Sequence, residues 1–188
     1  MSNETRTRLL RITALANDYC TTLQQTNEMK RLEFVQAMTD LLPRIYWEFS
    51  DFAPQNEQCP EKPAAEGAPD PDSLLALEEE EERYYGSYVD EDFYESIRRH
   101  VEMVLGPDDV FLETFEEDMK YSDTPIAASV SECLADIFQP LFNFISIVKD
   151  SEGSELEGAY LECRENFTSY WSQTLCNVLR PLNHIRFS

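Results

Sequence analysis

Glu132 and Asp136 stand four residues apart in the stretch SECLADIFQPLFNF, and carboxylates at that spacing share one face of a helix. Paired carboxylates can hold a divalent cation through oxygen ligands or receive a cationic side chain. A di-iron or di-manganese bundle would need Glu-x-x-His pairs on facing helices. The chain has only two histidines, His100 and His184, and neither has a glutamate three residues before it. Zinc-type cysteine and histidine spacing and an EF-hand loop are also missing from the sequence. A divalent cation on Glu132 and Asp136 is the metal chemistry left, and no other cofactor is expected. The simpler reading of the pair is a solvated or salt-bridged helix face.

Five cysteines, Cys20, Cys59, Cys133, Cys163 and Cys176, are scattered without a C-x-x-C pair. Four lie in expected helices and read as small buried hydrophobes in a reducing compartment. Cysteine–histidine catalysis would need one of them beside His100 or His184, and no spacing selects such a pair. There is no phosphate-cradling glycine loop, nucleophile elbow or dinucleotide fingerprint. No catalytic residue is therefore assigned.

A second constellation combines aromatics with acid. Tyr84, Tyr85 and Tyr88, followed by Asp92 and Glu95, are interleaved in the most acidic part of the chain. Between positions 78 and 118 there are 16 acidic against 3 basic residues, whereas the first fifty residues balance at 6 against 6. Aromatics suit interface anchors, and surrounding carboxylates steer a basic partner. The formal charge of -22 makes direct nucleic-acid binding unfavourable, because association would begin with repulsion. An anionic membrane surface is equally unfavourable, and no run is long enough to span a bilayer. The N-terminal residues lack the apolar core of a signal peptide, so a cytoplasmic location is expected.

The elements that must position these groups read as helices. With 188 residues, 12% aromatics and only 5 glycines, the composition favours one all-α domain over positions 1–188, bundle-like, of five to seven helices. The first helix is expected over 4–25. A second over 28–49 would be capped by Asn27 and kinked or broken at Pro43. Residues 51–76 hold five of the ten prolines and read as a long irregular loop. A helix over 90–105 ends at Gly106-Pro107, and Asp108 or Asp109 would open a short one through Phe111, Phe115 and Met119.

The organising helix is expected over 123–147, capped by Asp123 or Thr124 with Pro125 in its first turn. Its apolar stripe is Ile126, Val130, Leu134, Ile137, Leu141 and Phe144. Pro140 inside it should kink it or start a new segment. A capping box of Ser154 and Glu157 would open the last helix, which carries Trp171 and ends near Pro181. Arg180, His184 and Arg186 form a terminal basic patch that the acidic middle can meet.

The run Glu132, Leu134, Ala135, Asp136, Ile137, Phe138, Gln139, Pro140, Leu141 resembles the central helix of a bacterial family of small acidic all-helical proteins, common in Bacteroidetes and described only as a domain of unknown function. That family usually reads E-x-L-A-D-I-Y-Q-D-L, so Phe138 replaces a tyrosine and Pro140 an aspartate. The likeness also takes in Leu42-Pro43 and the tryptophan-bearing last helix. It implies an all-helical fold and supplies no mechanism. The functional expectation is a non-enzymatic interaction or regulatory module offering an acidic surface to a basic protein; the alternative is a carboxylate-based divalent-metal protein or enzyme.

Overall fold

The computed structural model describes residues 2–52, 86–113 and 126–188. Of these, residues 2–52, 87–113 and 126–188 belong to one compact unit. Helix α1 (Asn3–Gln24) starts where the Ser2 hydroxyl accepts the Thr5 amide, and it buries Leu9, Ile12, Ala16, Tyr19 and Leu23 on one stripe. Helix α2 (Arg31–Asp51) buries Phe34, Val35, Met38, Leu42, Ile45 and Phe49. It begins later than expected, because Thr26–Glu28 closes a 3-10 turn and Lys30 occupies the cap position. Pro43 lies within α2 without ending it.

Asp90 caps helix α3 (Glu91–Leu105) by accepting the Phe93 amide at 2.8 Å. Gly106 ends it at φ +57°, a conformation that a side chain would strain. Instead of the expected short helix, the chain then makes a 3-10 turn (Gly106–Asp109) and strand β1 (Val110–Glu113). Strand β2 (Ile126–Ser129) pairs with it antiparallel, Val110 opposite Ser129 and Glu113 opposite Ile126. A four-residue strand holds too few side chains to show an alternation, so the sequence hides this hairpin. Phe115, Met119, Asp123, Thr124 and Pro125 lie outside the described residues.

Helix α4 (Val130–Asp150) is the hub, packed against α1, α3 and both parts of the C-terminal rod. It starts four residues after Ile126, which belongs to β2 instead of to the apolar stripe. Leu134, Ile137, Phe138, Leu141 and Phe144 are all buried as expected. Full burial of one such side chain stabilises by about 1.5–3 kcal/mol. Pro140 does not end α4.

Helix α5 (Leu156–Asn166) follows a turn in which the Ser151 hydroxyl accepts the Glu155 amide, and the expected capping box at Ser154 is not formed. A π-helical turn (Phe167–Trp171) joins α5 to helix α6 (Ser172–Phe187), so positions 156–187 make one rod that runs past Pro181. Arg180 donates to the Leu112 carbonyl of β1 at 2.7 Å, while Arg186 reaches Asp40 and Thr39 of α2. The terminal basic patch is thus divided between the hairpin and α2. All-α is the fold class, with one small hairpin among the described residues.

Candidate functional site

The first turn of α4 is heavily capped. Asp109 accepts the Ser131 amide at 2.8 Å and the Ser131 hydroxyl at 2.9 Å, and Ser129 accepts the Glu132 amide at 3.2 Å. Asp109 is buried, and its charge suits the positive end of the helix dipole. The residue expected to start its own helix therefore fixes the start of another. That fixes where Glu132 and Asp136 project, one turn apart on the same face.

Asp136 accepts two phenol hydroxyls, one on each carboxylate oxygen: Tyr94 of α3 at 2.7 Å and Tyr170 of the π turn at 2.9 Å. The π turn makes the second contact available. Its wider ring, closed by the Ser172 amide on the Phe167 carbonyl, inserts one residue and rotates the following side chains. Trp171 then points inward and is fully buried against Phe49 and Phe167. Tyr170 stays 58% exposed and leans onto Asp136. Burial, followed by the hydrogen bond to Asp136, pushes the Tyr170 phenol up to about 12. The same causes raise Tyr94 further. Both phenols stay protonated, neutral donors at neutral pH, so neither brings a positive charge to Asp136.

Beside this clamp opens a cleft of about 460 Å³ between the hairpin, α4 and the C-terminal rod. Glu113, Glu132 and Asp136 line it together with Tyr170, and among the described residues that line it none is basic. Cys133 also faces it, but burial and then the carboxylates of Asp136, Glu113 and Glu132 push its thiol up to about 12. A thiol held protonated is a poor nucleophile and a poor metal ligand. Among the described residues no group of three or more histidine, cysteine, aspartate or glutamate side chains converges to hold an ion.

The tyrosine-and-acid constellation falls elsewhere. Tyr84 and Tyr85 lie outside the described residues. Tyr88 donates its hydroxyl to Asp150 and its amide to Asn143, strapping the far end of α4. Asp150 lies fourteen residues beyond Asp136, roughly 21 Å along a helix axis. Asp92 is exposed on α3, and Glu95 is paired with both Arg98 and Arg99 of its own helix. These residues do not join the cleft. Tyr94, Tyr170 and Glu113 do contribute to the site, and no spacing in the sequence ties them to Asp136.

The chain belongs to the family described as a domain of unknown function, DUF5063, whose model matches residues 3–188. The resemblance carried by the central helix is borne out. The fold is similar to the crystal structure of a Bacteroides fragilis protein from structural genomics, with a TM-score of 0.68 and 24% identity, covering 96% of this chain and 93% of that one. At that identity the likeness speaks to the fold alone. No curated protein matches. Among the described residues no helix is long and apolar enough to cross a membrane.

Proposed function

We propose that this member of the family is a non-enzymatic recognition module whose cleft seats a cationic side chain of a basic protein partner. The observation that carries the reading is Asp136, whose two oxygens are oriented by neutral phenols beside a cleft that Glu132 also lines. The two phenols orient the Asp136 carboxylate without cancelling its charge. An entering guanidinium or ammonium then gains a charge-assisted hydrogen bond, and the exposed ring of Tyr170 offers a face for stacking. The long negative field around the chain speeds encounter with a basic surface. A cytoplasmic setting, without direct contact to nucleic acid or membrane, fits the same charge.

The test is calorimetric titration of the full chain with an arginine-rich peptide across a salt series. Affinity should fall steeply with salt and drop in Glu132→Gln and Asp136→Asn. Affinity unchanged by salt, or by both substitutions, would sink the reading. The alternative, a divalent cation held by Glu132 and Asp136, is weaker, because among the described residues no group of three or more histidine, cysteine, aspartate or glutamate side chains converges there. It predicts co-purifying magnesium or manganese and a raised melting temperature on adding either.

A further inference from the structure

On the α1–α2 face lies a groove of about 430 Å³ with the opposite character. Leu15, Pro43 and Trp47 give it an apolar lining, and Arg11 and Arg44 stand beside them. Trp47 is 65% exposed, although a tryptophan on a solvated helix face ordinarily gains by being covered. The one carboxylate in the lining, Glu48, is buried and already engaged by Arg8 and Arg11. Arg44 is exposed and forms no ion pair among the described residues, and the Arg11 side chain remains 63% exposed beyond its single contact to Glu48. The local balance is therefore cationic beside an apolar floor, in a chain whose net charge is strongly negative.

We infer that this groove docks an acidic peptide segment of a partner protein, one that carries a large apolar side chain flanked by carboxylates. The apolar residue lies on Trp47 and Pro43, burying the indole, and a flanking carboxylate meets the Arg44 guanidinium in a fork-to-fork contact. Of the net charge of -22, 13 negative charges lie between positions 78 and 118, whereas residues 1–50 are balanced. Among the described residues that line the groove the arginines outnumber the carboxylate, and screening over about 8 Å at physiological salt gives such local charges the greatest weight. This surface is separate from the carboxylate-lined cleft, and its occupant has the opposite charge.

The protein carries its own reporter. Of its two tryptophans, Trp171 is fully buried, so Trp47 is the one that solvent quenchers reach. The full chain is titrated at physiological salt with the blocked peptide Glu-Asp-Leu-Phe-Glu while indole emission and acrylamide quenching are followed. Saturable shielding of the tryptophan is expected, weakened at least about tenfold in Arg44→Glu and similarly in the milder Arg44→Gln. The peptides Lys-Lys-Leu-Phe-Lys and Glu-Asp-Ser-Gly-Glu should give no saturable response, since each lacks one half of the match. The proposal is overturned if the acidic apolar peptide gives no saturation, if the basic peptide binds as well, or if both Arg44 variants keep full affinity. Concentration-dependent self-association in sedimentation that by itself shields Trp47 would overturn it too, because a second copy would then be the occupant.

Discussion

Two carboxylates on two amphipathic helices meet opposite fates in this molecule. Glu48 of α2 lies between the guanidinium groups of Arg8 and Arg11, and Arg8 also reaches Asp51 and stacks on Phe52. Asp136 of α4 is also held on two sides, but by the neutral phenols of Tyr94 and Tyr170. Charged donors satisfy the hydrogen bonds and cancel the field, whereas neutral donors fix the geometry and leave the field standing. One end of the fold thus uses its acid to lock α1 onto α2. The other keeps a carboxylate oriented and charged beside a cleft.

The largest test of this contrast is Glu48→Ala. It removes the acid that joins Arg8 to Arg11, and because Arg8 keeps Asp51 and the Arg11 side chain is largely exposed the loss is about 2 kcal/mol. The measurement is denaturant unfolding, and added salt should shrink the gap to the parent chain. Asp136→Ala should cost less, about 1–2 kcal/mol, because two hydroxyls lose an acceptor but no charge is orphaned. In that variant the phenols of Tyr94 and Tyr170 should ionise earlier in an absorbance titration. A loss larger than that of Glu48→Ala would invert the comparison.

A smaller effect separates the two sites by pH. The Tyr170 phenol is held at about 12 against 10.0 in an unperturbed tyrosine, so the folded chain keeps a proton that the unfolded chain releases first. That contribution to stability is complete below pH 10 and is lost as pH rises towards 12. Tyr170→Phe should flatten the decline in that window, while Glu48→Ala should leave its slope unchanged. The smallest effect on stability belongs to Arg44→Glu, within about 0.5 kcal/mol, because the side chain is exposed and forms no ion pair among the described residues. A clear loss of stability there would mean that Arg44 braces the fold.

The apolar stripes of α1, α2, α3 and α4 were legible because burial at a period of 3.6 leaves its mark on consecutive turns. Arg8 and Arg11, early on α1, find their acid on a neighbouring helix, Glu48 of α2, and no local spacing announces that pairing. The start of α4 was misplaced, since Ile126 fits the stripe yet belongs to a strand too short to announce itself. The π turn was equally hidden: one inserted residue inside a periodic run changes which side chain faces inward without changing composition. Of the site, Glu132 and Asp136 were visible as a pair, but their partners were not.

What the amino-acid sequence fixed by itself was the helical class, the family, the hub helix and the distribution of charge, because each depends on residue types and near-neighbour spacing. Whether a given carboxylate is neutralised depended on contacts between residues 40 positions apart for Glu48 with Arg8, and 34 and 42 apart for Asp136 with its tyrosines. Only the packing of α1 on α2, and of α3 and the π turn on α4, decided that. Hydrogen-bond donors act within about 3 Å, and no local pattern encodes which distant donor arrives there.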